Sequence, residues 1–167
     1  MTIDEPAIIL PCPEAAESKR LNALMNCWRE AAGEKPLPCI DSIDPIALKP
    51  FLKDLVVVCV SDPDQPRFRL FGSGYREFFG ADYSGLAVRE APFPERDMMA
   101  DTYRAVALSG KPAFGRYCWH AGTGGLYHSN FVILPYGDGE KVLRLVVMED
   151  LDEARQVRAK AVHRMSA

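Results

Sequence analysis

Residues 68–85, FRLFGSGYREFFGADYSG, change their periodicity across a pair of glycines, and that change constrains the fold more than any other feature of the chain. Arg67, Arg69 and Phe71 alternate with Phe68, Leu70 and Gly72, the two-residue period of a strand, whereas from Tyr75 onward the apolar residues fall at helical spacing. A strand that turns into a helix through Gly72-Ser73-Gly74, with Tyr75, Phe78 and Phe79 just beyond, is where a small domain builds a helical wall against its sheet. It points to a sensor or interaction module before an enzyme.

The elements on either side fit that picture. Pro13, Glu14 and Glu17 mark the start of a helix that Gly33 stops. Its Leu21, Leu24, Met25, Trp28 and Ala32 recur at the i, i+3, i+4, i+7 spacing of one buried stripe, which must lie on this chain's own sheet or on a partner. The eleven residues at the N-terminus have no period and read as a loose or docked arm. Asp44 caps a short helix begun by Pro45, with Leu48, Phe51 and Leu52 as its anchors. Residues 55–60 form a β-branched strand, residues 61–66 a turn, and residues 67–72 the second arm of a hairpin.

The longest helix spans residues 95–109 and ends at Gly110. Three strands follow, at residues 112–121, 126–136 and 141–149, joined by the glycine turns at 122–125 and 137–139. The last strand is apolar on both faces, so both faces of the sheet are covered: one by the middle helices, the other by the N-terminal helix or a partner chain. Residues 151–165 read as an exit helix. The expected fold is α+β: a five-stranded antiparallel sheet with helices on one face, plus an N-terminal helix and a C-terminal exit helix. The chain divides into residues 1–33 (arm and amphipathic helix), 34–150 (sheet domain) and 151–167 (C-terminal helix).

Composition narrows the function classes. A chain of 167 residues forms one well-buried domain. A formal charge of -3 without a basic stripe gives no reason to expect a nucleic-acid partner, and the basic excess at 155–164 reads as a solvated helix face. Cys12, Cys27, Cys39, Cys59 and Cys118 are odd in number, with no CxxC spacing, so neither a disulfide framework nor a structural metal is indicated. No segment reaches the roughly 20 apolar residues of a membrane helix, and the N-terminus lacks a basic leader region. A cytoplasmic protein is expected.

The order of helix, two strands, short helices, one longer helix and three strands resembles the PAS sensory fold, and more closely the single-domain PAS-like proteins common in alphaproteobacteria. The resemblance is carried by IDSIDP at 40–45 with residues 52–60, FRLFGS at 68–73, GADYSG at 80–85, and the closing strands around Leu134-Pro135 and 142–147. It spans about residues 21–150. The chain departs from the pattern in lacking the Arg often found just before residues 41–44, and in the additional Gly74. The resemblance implies signal sensing, either through a small ligand held between sheet and helices or through dimerisation that relays another domain's state.

A ligand site of that kind is expected to be apolar and aromatic with a few orienting polar groups. Phe68 or Leu70, Tyr75, Phe78, Phe79, Tyr103, Tyr117, His128 and Asn130 have that composition, although the same aromatics would also serve as core filling. Leu21, Leu24, Met25 and Trp28, with the outer sheet face, are the expected homodimer interface. A signalling protein or a small metabolite is the further partner. A flavin photosensor of this fold would need a reactive cysteine that residues 75–110 lack, and a haem sensor a histidine that residues 95–109 lack, so no cofactor is expected. His120 and His128 flank the glycine turn without a third ligand, and no metal is expected. Arg116 and Arg144 stand on strands where they would pair with an acidic ligand or with Glu149. An enzyme would use His128 as base beside Tyr127, Tyr103 or Asp101. The absence of a nucleophile elbow, phosphate loop or paired-carboxylate motif argues against one. A small α+β enzyme and a ligand-free dimerisation scaffold remain the alternatives.

Overall fold

The computed structural model describes residues 8–10, 18–120 and 126–152. The elements are β1 (Ile8–Leu10), α1 (Lys19–Ala32), α2 (Pro45–Leu48), β2 (Leu55–Cys59), β3 (Arg67–Phe71), α3 (Ser73–Phe79), α4 (Arg96–Ser109), β4 (Ala113–His120), β5 (Leu126–Gly137) and β6 (Val142–Glu149). The strands form one sheet in the order β1-β4-β5-β6-β2-β3, antiparallel at each pairing. The expected five-stranded sheet, β2 to β6, is present. Part of the N-terminal arm adds to it as β1, which pairs Ile8 with Arg116 and Leu10 with Phe114 and so covers the β4 edge.

Two apolar layers lie on opposite faces of the sheet. The inner layer joins Val56, Val58, Phe131, Ile133, Leu145 and Val147 to Tyr75, Phe78 and Phe79 of α3 and to Met99, Tyr103 and Val106 of α4. The outer layer joins Leu55, Phe114, Val132, Leu134, Val146 and Met148 to the apolar stripe of α1. Here the structure corrects the dimer expectation. Leu21, Leu24, Met25 and Trp28 are buried within the chain at 2%, 0%, 5% and 8% exposure, and the Trp28 indole donates to the Pro135 carbonyl at 2.7 Å. The stripe meets this chain's own sheet, so those four side chains are not available to a second copy.

Ser18 holds an extended backbone and its hydroxyl accepts from the Leu21 amide, so α1 starts at Lys19, not at Pro13. The proline itself lies outside the described residues. Asp44 caps α2 as its sequence predicts, and Leu48 and Phe51 are buried, but Leu52 is left exposed. Of the exit helix only Leu151 and Asp152 fall within the described residues.

Gly72 and Gly74 explain how β3 passes into α3. The Gly72 amide donates to the Leu55 carbonyl at 2.9 Å, and a Cβ at this position would overlap the carbonyls of Leu52, Lys53 and Leu55. A Cβ on Gly74 would meet Asp54 Oδ1 and the Lys53 carbonyl, at 2.5 and 2.9 Å. The second glycine, a departure at the level of sequence pattern, is therefore required by the close approach of backbone on backbone.

A polar junction sits where α1 begins and β6 ends. Ser18 donates to Asp150 at 2.6 Å. Arg20 reaches the fully buried Asp54 at 2.6 Å and Asp152 at 3.3 Å, and Lys53 also contacts Asp152 at 3.3 Å.

Candidate functional site

Among the described residues, the inner face of the sheet is apolar except near the end of β6. Strand alternation turns Glu149 to the same side as Leu145 and Val147. Its cross-strand partner is Phe131, and one step along β5 on that face stands Ser129, opposite Tyr117 of β4. Glu149, Ser129 and Tyr117 are all buried, at 1%, 2% and 1% exposure.

A directed chain of hydrogen bonds fixes Glu149. The Trp119 indole N–H donates to Ser129 Oγ at 2.8 Å, and the Ser129 hydroxyl donates to Glu149 Oε2 at 2.7 Å. An indole nitrogen can only donate, so the serine proton is committed to the carboxyl group. From the other side, the Tyr75 hydroxyl of α3 accepts from the Glu149 backbone amide at 2.8 Å, just past the last β2–β6 pair, Leu55 with Met148.

Thr102 lies within hydrogen-bonding reach of the Tyr117 hydroxyl, and its oxygen can accept while its own proton goes to the Met98 carbonyl at 2.8 Å. Among the described residues, Glu149 Oε1 has no hydrogen-bond partner. A buried polar group without a partner costs about 1–3 kcal/mol, so this oxygen is a feature to explain.

The electrostatics follow from burial without a counter-charge. Desolvation pushes the Glu149 carboxyl up to about 7; Glu95 adds to the rise, and the Ser129 hydrogen bond opposes it. Burial likewise holds Tyr75, Tyr103 and Tyr117 above the ordinary phenol range, with the Glu149 charge contributing at each. Among the described residues no Lys or Arg is buried. The arrangement thus sets a carboxyl group raised by burial among phenols raised in the same way, in an aromatic setting.

That setting is dense. Trp119 packs against Phe78 and Phe79 with ring centroids 5.2 Å apart in each case and against Tyr127 at 5.1 Å. Phe79 also meets Phe93 at 5.2 Å, and Tyr117 stacks on Phe131 at 3.9 Å. Phe68, Tyr75, Phe78, Phe79, Tyr103 and Tyr117 all belong to this inner layer, as the sequence suggested.

Leu70, His128 and Asn130 do not. Leu70 is 40% exposed and turned away from the inner layer. His128 is exposed, opposite Cys118, and the buried Asn130 accepts from Arg116 Nε at 3.2 Å; both alternate with the inward Tyr127, Ser129 and Phe131. Arg144 pairs in register with Cys59 and Tyr136 and is not with Glu149. The dyad considered for an enzyme does not assemble either. His128 and Asp101 are exposed, Asp101 is held by Arg89 at 2.6 Å, and Tyr103 is buried in the core. No group of His, Cys, Asp and Glu suited to a metal occurs among the described residues. Residues 121–125, the glycine turn, lie outside them.

An antiparallel sheet of order β4-β5-β6-β2-β3, with α3 and α4 across one face and a single polar cluster beneath them, defines the class of PAS-type sensory domains. Residues 16–107, more than half of the chain, match the PAS domain family, and the protein belongs to it. This is a family of sensory and regulatory modules of signal transduction. No curated protein matches the sequence.

Solved structures with a similar fold include a light-oxygen-voltage domain studied with a flavin analogue (18% identity, TM-score 0.49, covering 71% of this chain and 93% of that one). Another is the VqmA dimer of Vibrio cholerae (20%, 0.48, 67% and 54%). A third is a fungal LOV domain photoreceptor (17%, 0.47, 81% and 92%). In the present chain α3 and α4 carry no cysteine, and Trp119 packs against both Phe78 and Phe79 over the sheet.

Proposed function

We propose that this PAS module is a non-enzymatic cytoplasmic sensor that binds a small ligand on the inner face of its sheet, around Glu149, and passes the bound state to a protein partner or a second copy. The observation that supports it is the buried Trp119–Ser129–Glu149 chain ending in an unpartnered carboxyl oxygen, with the Tyr117 hydroxyl on the same face. A core built only for packing has no use for them. Because α1 is consumed by its own sheet, a homodimer would use another surface. No helix among the described residues is long and apolar enough to cross a membrane.

Native mass spectrometry of the full chain purified from its own host tests the reading. The expected result is an added small-molecule mass that is lost on denaturation. A mass equal to the polypeptide alone, unchanged after incubation with a host metabolite extract, would overturn it.

A further inference from the structure

We propose that the outer face of the β2–β3 hairpin, with the cleft that Leu52 and Leu70 share, is a docking site for an acidic, leucine-bearing segment of a partner protein. The proposal assigns the output surface of the sensor described above and rests on that reading for the partner's role alone, since the surface is separate from Glu149.

The outer apolar layer stops short of this corner. It takes Leu55 from the start of β2 and nothing from β3, so α1 leaves the hairpin uncovered. Val57 pairs with Leu70 and Val58 with Phe68, which makes Arg69 the extra residue of a bulge. Phe68 and Phe71 turn inward, and Leu70 is left on the outer face at 40% exposure. Leu52, equally exposed, shares with it a cleft of about 250 Å³ that is completed by Phe71 and Gly72 and flanked by Lys53 and Arg76. Phe71 in turn meets the rings of Tyr75 and Phe79 at 5.3 and 5.9 Å, so the cleft adjoins the inner layer.

Positive charge gathers around the two leucines. Cys59 stands opposite Arg67 on one side and Arg144 on the other. Although burial raises its thiol, Ser61 and the charges of Arg144 and Arg69 hold it below its ordinary value, which brings both guanidinium groups near one sulfur. Lys53 and Arg76 have carboxylate partners, Asp152 at 3.3 Å and Asp82 at 3.5 Å, and Arg67 donates to the Gly85 carbonyl. Among the described residues, Arg69 and Arg144 have no carboxylate partner. In a chain of formal charge -3, unpaired arginines beside exposed leucines complement a segment that carries carboxylates and an aliphatic anchor. A concave cleft receives a projecting side chain, whereas a bilayer surface is met by apolar groups that protrude.

The test is fluorescence anisotropy with the full chain and a labelled peptide of glutamates with leucines along one helical face, compared with the same peptide carrying lysine for glutamate. The glutamate peptide is expected to bind about tenfold tighter or more, with an affinity that falls as salt is raised. Arg69→Glu/Arg144→Glu should reverse the preference, and Leu52→Ser/Leu70→Ser should weaken the glutamate peptide about tenfold. Neither double variant removes an ion pair or a core side chain, so both should melt near the wild type; if one does not fold, the other decides. Equal binding of the two peptides, no binding of either, or unchanged affinities in the variants overturns the proposal. So does tighter binding to phosphatidylglycerol vesicles than to the peptide, or a dimer in light scattering that the variants dissolve, since these give the face to a membrane or to a second copy. A ligand mass from the host without peptide binding removes this surface and leaves the ligand-binding reading standing. Peptide binding by a chain that carries no ligand does the reverse.

Discussion

The Tyr75 hydroxyl accepts the backbone amide of Glu149 at 2.8 Å, joining the first turn of α3 to the last residue of β6 across 74 positions of sequence. β2 supplies no further partner there, since its pairing with β6 ends at Leu55 and Met148. Tyr75→Phe keeps the ring packing and leaves that amide buried and unpaired. It is expected to cost about 1–3 kcal/mol in urea unfolding and to raise hydrogen exchange at the Glu149 amide. A change in stability below about 0.5 kcal/mol would show that the bond is replaced by water.

Glu149 gives the fold a pH dependence of defined sign. Unfolded, it titrates as an ordinary glutamic acid; folded, burial holds it up at about 7. Between those values the folded protein retains a proton that the unfolded chain has lost, so stability is greatest at the acid end, falls as pH rises through the window, and levels off above about 7. Within the window each step of one in pH removes at most roughly 1.4 kcal/mol of stability. Urea midpoints at about pH 5 and about pH 8 should differ for the wild type, and the difference should shrink in Glu149→Gln. Equal differences in the two proteins would place the titrating group elsewhere.

Gly72→Ala and Gly74→Ala should each destabilise by about 1–3 kcal/mol, through overlap with the backbone around Lys53. Ser73→Ala, between them and exposed, should be close to neutral. Thermal unfolding of the three variants side by side is the measurement. Equal melting temperatures would show that the β3–α3 passage yields easily.

Arg20→Ala removes the nearer ionic partner of the fully buried Asp54, leaving Lys53 at 3.9 Å, and should cost about 3 kcal/mol. The double variant Arg20→Ala/Asp54→Asn should recover part of the loss, since it no longer buries an uncompensated charge. A double variant no more stable than Arg20→Ala would assign the loss to packing of the arginine stem.

Trp28→Ala should lower stability by about 3–5 kcal/mol and leave the oligomeric state in light scattering unchanged, because its indole is used inside the chain. A change of mass in solution at unchanged fold would return α1 to the interface.

The sequence carries the fold well and the site only in part, for a physical reason. The switch from two-residue to helical spacing at Gly72 is a local signal, and so are the Asp44-Pro45 cap and the glycine that ends α4. Facing is not local when both sides of a sheet are covered. Tyr127, Ser129 and Phe131 alternate with His128, Asn130 and Val132, and composition gives no reason to turn the first set inward. Polarity alone therefore favours His128 and Asn130 over Ser129 and Glu149, and it is the latter pair that faces the inner layer. Only the pairing of Trp119 with Ser129 and of Ser129 with Glu149, between three different strands, reveals an inward polar cluster. β1 is invisible to periodicity because three residues are too few to show one.

The bond between Ser18 and Asp150 places the two flanks of the domain side by side. Mechanically, the domain is then a closed loop held by a clasp, with Arg20 and Asp152 as its second catch. A twist of either flank would reach Asp54, and with it the root of α3, without crossing the aromatic core.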